Sequence, residues 1–116
     1  MYQAAKEMAR FAFHISKGLP VEYRHNISDQ LTRASLSVVL NIAEGSGKSA
    51  DRISDKELNR YFQIALGSIY EVFAVTDFLR DFKIVSDPDI DRLQQQLTNI
   101  ASQLVGFKKS LLGRES

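Results

Sequence analysis

Five residues in the middle of the chain, Gly45-Ser46-Gly47-Lys48-Ser49, have the types that a phosphate-binding loop uses. A P-loop needs G-x-x-x-x-G-K-[ST] after a strand, so that backbone N–H groups cradle the phosphates and the lysine reaches them. Here the first glycine of that spacing would fall on Ile42, inside an apolar stripe, and the residues ahead of the loop read as helix. The stretch is expected to be a helix stop, because glycine reaches the backbone conformations that end helices. Asp87, Asp89 and Asp91 imitate the start of a calcium loop, but Arg92 and Thr98 stand where an EF-hand wants its glycine and its bidentate glutamate. Carboxylates in a first helical turn are favoured by the helix dipole with no ion present. His14 and His25, in a chain without cysteine, cannot alone close a zinc site, and there is no thiolate. No metal and no cofactor is expected.

The polar groups set in the most apolar surroundings are Asn41, Glu44 and Glu71. As a carboxylate pair, the two glutamates would suit acid–base work or metal binding, yet no nucleophile or orienting base accompanies them. The better reading is a buried polar network, completed by Arg33 or by a neighbouring subunit, that fixes helix register and oligomer geometry. Gly67 fits that picture, since a mid-helix glycine costs roughly 1 kcal/mol relative to alanine and close approach of another helix would offset it. The chain is not expected to be an enzyme.

Four helical segments must position these groups. The first runs from about Tyr2 to Lys17, with Met1, Ala4, Met8, Phe11 and Ile15 spaced three and four apart, and stops at Gly18-Leu19-Pro20. The second runs from Asn26 or Ser28, both suitable N-caps, to about Gly45. It has one stripe of Ile27, Leu31, Val38 and Ile42 and a second side of Leu36, Val39 and Leu40. The third opens at the capping-box sequence Ser54-Asp55-Lys56-Glu57 and extends to about Lys83. Its seam is Leu58, Phe62, Ala65, Ile69, Val72, Thr76 and Leu79, with Ile64, Val75, Phe78 and Phe82 on another side. The fourth opens at Asp87-Pro88, an N-cap followed by proline, and carries Ile90, Leu93, Leu97, Ile100, Leu104, Phe107 and Leu111 to about Leu112, ahead of Gly113. The expected fold is all-α, an antiparallel up-down-up-down four-helix bundle forming a single domain over residues 1–116.

Helices 2 and 3 carry more apolar surface than one bundle stripe of about 100° requires, so the chain is expected to self-associate through them. No apolar run is expected to approach the roughly 18 residues of a membrane span, and the N-terminus has no signal-peptide core, so no membrane partner and a cytoplasmic location are expected. A net charge of +1 neither demands nor forbids nucleic acid.

With the helices placed, the chain resembles a known family, the bacterial four-helix-bundle proteins encoded in intervening sequences of 23S rRNA genes, once classed as a ribosomal protein. The residues that carry the resemblance are Tyr2-Gln3-Ala4-Ala5, Leu19-Pro20, LTRASLSVVLNIAEGSGK from Leu31 to Lys48, and FQIALGSIYE from Phe62 to Glu71. Family members carry several residues before the aromatic-Gln-x-Ala element, so the chain is expected to begin within helix 1. The resemblance implies a ring-like homopentamer. It also implies kinship with the accessory variability determinants of diversity-generating retroelements, bundles of the same kind that bind nucleic acid and a reverse transcriptase.

The basic residues are the remaining handle on function. Lys6, Arg10 and Lys17, with His14 between them, lie along the polar side of helix 1. Lys48, Arg52, Lys56 and Arg60 recur every four residues, with Asp51, Asp55 and Glu57 interleaved, and Lys108, Lys109 and Arg114 make the C-terminal end positive. A ring would repeat each cluster in every subunit, so that weak phosphate contacts act together. The expected function is therefore RNA or DNA binding through Lys6, Arg10, Lys48, Arg52, Lys56, Arg60, Lys108 and Lys109. The rival expectation is an assembly scaffold or accessory subunit whose partner is another protein.

Overall fold

In the computed structural model, helix α1 (Tyr2–Lys17) stops where the sequence predicts. The N–H groups of Gly18 and Leu19 turn back to the carbonyls of Ile15 and Ser16 at 3.1 and 3.2 Å, and Pro20 leads into a single 3₁₀ turn, Val21–Tyr23. The structure describes residues 1–47 and 53–115, with side chains as far as Leu111; Lys48 and Arg52 therefore lie outside the described residues. The face of α1 that is buried consists of Ala5, Met8, Ala9, Phe11, Ala12 and Ile15, while Met1 and Ala4, at the start of the expected seam, are only half-buried.

Each later boundary has an identifiable cause. Helix α2 (Ile27–Gly45) is capped by Asn26, whose side-chain oxygen accepts from the N–H of Ile27 at 2.6 Å. Ser28, the other suitable cap, instead bonds through its hydroxyl to the hydroxyl of Ser16, tying the start of α2 to α1. The helix ends as Ser46 N–H donates to the carbonyl of Ile42 at 2.8 Å and Gly47 adopts φ of 74°, a left-handed conformation that glycine enters without a Cβ penalty. Helix α3 (Asp55–Asp81) is capped by Ser54, whose hydroxyl accepts from Glu57 N–H at 3.2 Å. It finishes two residues before the expected Lys83, which takes φ of 55°. There Ile84 N–H reaches the carbonyl of Leu79 and Lys83 N–H that of Arg80, both at 3.0 Å. That pair of bonds is a Schellman closure, with Ile84 folded back beside Leu79.

Helix α4 (Asp87–Glu115) departs from expectation at both ends. Its first turn already closes on Ser86, whose carbonyl accepts from Ile90 N–H at 3.1 Å. Asp87 is thus the first helical residue, and its carboxylate faces Arg80 at 3.4 Å. The helix also continues through Gly113. A glycine without a competing bonding partner weakens a helix but does not stop it.

Contacts along the helices fix their directions. Ser37 of α2 meets Ser68 of α3, and Gly45 near the end of α2 meets Phe62 near the start of α3. Arg80 of α3 reaches Asp91 of α4, while Phe62 packs edge-on against Phe107 near the other end at 5.2 Å. Arg92 of α4 covers the ring of Phe11 in α1. Every sequence neighbour is therefore antiparallel, and α1 also packs on α4, giving the up-down-up-down bundle. Leu31, Val38, Ile42, Ala65, Ile69, Val72, Leu93, Leu97 and Ile100 are wholly inaccessible at its centre. Complete burial of one such leucine or isoleucine contributes about 1.5–3 kcal/mol. By length and composition α3 is apolar enough to cross a membrane, although Gln63, Glu71 and Asp77 interrupt its sequence. Within the bundle its seam (Phe62, Ala65, Ile69, Val72, Thr76 and Leu79) is core.

Two buried positions give opposite expectations for stability. A Cβ on Gly45 would collide with the Phe62 ring, which Phe107 holds from another side. Gly45→Ala is expected to cost about 1–3 kcal/mol by overpacking, lowering the thermal midpoint by at least roughly 4 °C. Ser35 is fully buried and its hydroxyl has no hydrogen-bond partner among the described residues. Ser35→Ala removes an unpartnered group and is expected to stabilise by about 1 kcal/mol. Thermal denaturation of both variants at one protein concentration tests the pair.

Candidate functional site

The alternating topology brings the start of α1, the end of α2, the start of α3 and the end of α4 to one end of the bundle. Basic residues far apart in sequence therefore meet there. Lys6, Lys56, Arg60 and Lys109 are exposed and Lys108 is half-exposed at this end, with Arg10 one turn further along α1. Glu44, Asp55 and Glu57 lie among them and are also exposed. Lys48 and Arg52, the remaining members of the expected set, fall outside the described residues.

At the opposite end the α3–α4 side carries Asp77, Asp81, Asp87, Asp89 and Asp91, with Lys17, Arg24, Arg80, Lys83 and Arg92 at the same end. Arg80 collects Asp91 at 2.6 Å, Asp87 at 3.4 Å and the Gln94 side-chain oxygen at 3.3 Å. The hydrogen bond to Asp91, foremost, raises the Arg80 pKa and keeps it charged. Gln94 in turn donates to Thr76 and Asp77. This cluster joins α3 to α4 and accounts for two of the three aspartates that imitate a calcium loop. Among the described residues no three His, Cys, Asp or Glu side chains gather as a metal site.

From the basic end a groove of about 560 Å³ runs between α1 and α2. Lys6, Arg10, His14 and Lys17 line one wall, Leu36 and Val39 the other, with Ala9 and Phe13 between them. Its lining holds three full cations and no carboxylate. The neighbouring groove between α1 and α4 sets Glu7 and Asp89 against Arg10 and Arg92 and is electrically balanced. The sequence marks the cations of the first groove but does not single out Phe13. Its signal is an aromatic residue off the buried seam, between Arg10 and Lys17.

The expected polar network is distributed differently from a buried cluster. Asn41 is half-buried and donates to the Ser37 carbonyl at 2.8 Å and to the Ser37 hydroxyl at 3.2 Å; that hydroxyl shares a 2.8 Å bond with Ser68. This short relay fixes α2 against α3. Arg33, Glu44, Gly67 and Glu71 are all exposed in the single chain, because they point away from the core on the outer side of the α2–α3 pair. Leu40 (55% exposed), Ile64 (42%) and Phe78 (40%) lie on the same outer side. Nothing within 4 Å would meet a Cβ on Gly67, so no helix of its own chain makes the close approach that the glycine suggests. Counting turns from the Ser37–Ser68 bond places Arg33 about level with Glu71, and Glu44 about level with Arg60. Neither pair forms an ion pair in the single chain.

The same arrangement is found in a crystal structure of a protein of unknown function from the S23 ribosomal protein family of Bacteroides thetaiotaomicron VPI-5482. The two share 19% identity, with 91% of this chain and 95% of that chain superposed at a TM-score of 0.81. At that identity the likeness speaks for the fold alone. No curated protein matches the sequence. The family model for the 23S rRNA-intervening sequence protein matches residues 1–106, nearly the whole chain and every segment on which the resemblance rests. The protein belongs to the 23S rRNA-intervening sequence protein family.

Proposed function

We propose that the protein is a non-enzymatic, ring-forming homo-oligomer that binds RNA or DNA through the basic ends of its subunits. The observation that carries this reading is the convergence of Lys6, Lys56, Arg60, Lys108 and Lys109, from three different helices, on one end of the bundle. One such end is a modest phosphate site, partly neutralised by Glu44, Asp55 and Glu57. Several ends held side by side would contact several phosphates of one strand, and the contacts would reinforce each other through effective concentration.

The α2–α3 face supports assembly. A ring whose axis runs along the helices sets α2 of one subunit beside α3 of the next without changing their levels. Arg33 then faces the level of the neighbour's Glu71, and Glu44 that of the neighbour's Arg60. Leu40 and Ile64 supply apolar contact between the two charged levels. Gly67, open on this side, lets a neighbouring helix approach closely. The charge sequence on α2 is thus complementary to that on α3, which favours a second copy of this chain over an unrelated partner. The family resemblance supports five subunits.

Two experiments test the two halves. Fluorescence anisotropy with single- and double-stranded RNA and DNA across a salt series should show affinity falling steeply with salt. Lys56→Glu with Lys109→Glu should weaken binding by at least tenfold and flatten the salt slope, leaving the oligomer mass unchanged. Absence of binding at low salt would reject the nucleic-acid reading in favour of a protein-directed scaffold. For assembly, Arg33→Glu should shift the sedimentation mass towards single subunits by placing like charges together. Adding Glu71→Arg should restore the ring, whereas failure of the double variant to recover while remaining helical would reject the proposed register.

A further inference from the structure

Resting on the nucleic-acid reading, the geometry points to a narrower ligand: we propose that the α1–α2 groove holds single-stranded nucleic acid, with a base stacked on Phe13. Lys6, Arg10 and Lys17 stand along one edge of this groove, and no carboxylate lines it. At a rise of 1.5 Å per residue, Lys6 and Arg10 are offset by roughly 6 Å along the helix and Arg10 and Lys17 by roughly 10 Å. The first step suits two successive phosphates of an extended strand, and the second spans more than one nucleotide. An edge of cations alone would accept any polyanion. The groove has a second feature, an apolar floor, that a phosphate backbone cannot use.

Phe13 is 38% exposed, whereas Tyr2 is half-buried and Phe11 buried on the same helix. Its neighbours across the groove are Leu36 and Val39, which offer no hydrogen-bonding group. A flat, apolar surface beside a row of cations is the arrangement by which proteins bind single strands without strict sequence preference. Bases in a duplex are stacked on one another and cannot reach such a surface, so the groove discriminates against duplexes. A groove of about 560 Å³ also has the size of an ordinary ligand pocket and can accommodate one or two bases. Leu36 is 44% exposed, and a base lying over Phe13 would cover it as well. Leu36 borders the outer α2–α3 face, one turn from Arg33 and Leu40, whereas Phe13 and the three cations of the groove stand on α1, which takes no part in that face.

The test uses the full oligomer with a 12-nucleotide single strand containing one 2-aminopurine, as RNA and as DNA, and the matching duplexes. Binding should quench the 2-aminopurine fluorescence, and single strands should bind at least tenfold more tightly than duplexes. Phe13→Ala should weaken single-strand binding by about 5- to 100-fold, the range of one lost base stack. It should remove the quench and leave the salt slope as it was; Phe13→Tyr, which keeps the ring, should retain both affinity and quench. Lys6→Glu with Arg10→Glu should instead flatten the salt slope. Salt-dependent binding that Phe13→Ala leaves unchanged, or equal affinity for duplexes, would overturn the groove assignment while leaving the basic ends as the binding surface. If an acidic amphipathic peptide binds the groove and no oligonucleotide does, both readings fall. Circular dichroism of each variant separates loss of binding from loss of fold, and the exposure of Phe13 favours an intact bundle.

Discussion

The antiparallel contact between α2 and α3 is the constraint on which the rest of the molecule depends. It is fixed at two points, the Ser37–Ser68 bond and the insertion of the Phe62 ring at Gly45. The first sets the level of the two helices; the second permits their close approach near the basic end, since any side chain at position 45 would meet that ring. Phe62 then turns its edge to Phe107 and carries the same alignment on to α4. Slip α2 by one turn against α3 and Arg33 no longer stands level with Glu71, Ser37 loses its partner, and the Phe62 ring loses its place. The charge pattern of the outer face is thus a consequence of an internal packing decision.

Hydroxyl groups suit this task. An apolar contact tolerates sliding by a residue or two because its energy is nearly independent of direction. A hydrogen bond at 2.8 Å does not, since its strength falls steeply with misalignment. The same logic applies between α1 and α2, where Ser16 and Ser28 bond across the turn that links them. At the far end Arg80, Asp91, Gln94 and Thr76 align α3 with α4. Exposed ion pairs contribute little to stability, so the value of that cluster lies in its geometry.

The fold was legible because its cause is periodic. The α4 residues Ile90, Leu93, Leu97, Ile100, Leu104 and Leu111 recur at bundle spacing, and all are buried. Caps at Asn26 and Ser54 were legible for a similar reason: a short polar side chain ahead of an apolar run has few other uses. Misplaced ends have physical explanations. Lys83 looks like a helix residue, and only the Ile84–Leu79 contact across the closure makes its left-handed backbone acceptable. Gly113 looks like a stop, but a stop needs a chain that turns back, and here it continues. The candidate site was less legible. The sequence placed Glu44 and Glu71 among apolar residues, and only three dimensions reveal that those neighbours include the exposed Leu40, Ile64 and Tyr70. A surplus of apolar residues is visible in one dimension; which side of a helix pair it occupies is not.

Charge separation along the bundle gives the two proposed surfaces a common logic. A chain with a net charge of +1 has little long-range attraction for a polyanion. Its topology nevertheless sorts part of that charge, sending Lys6, Lys56, Arg60, Lys108 and Lys109 to one end, with Glu44, Asp55 and Glu57, and Asp77, Asp81, Asp87, Asp89 and Asp91 to the other, with Lys17, Arg24, Arg80, Lys83 and Arg92. A ring with its axis along the helices would add the lysine-bearing ends on one rim and the aspartate-bearing ends on the other. On the proposed reading, a strand would be drawn to the rim that carries the lysines rather than to the one that carries the aspartates. In such a ring the α1–α2 grooves would lead away from that rim. The strand would therefore meet non-selective phosphate contacts first and the aromatic floor at Phe13 second, so that capture precedes discrimination between paired and unpaired bases.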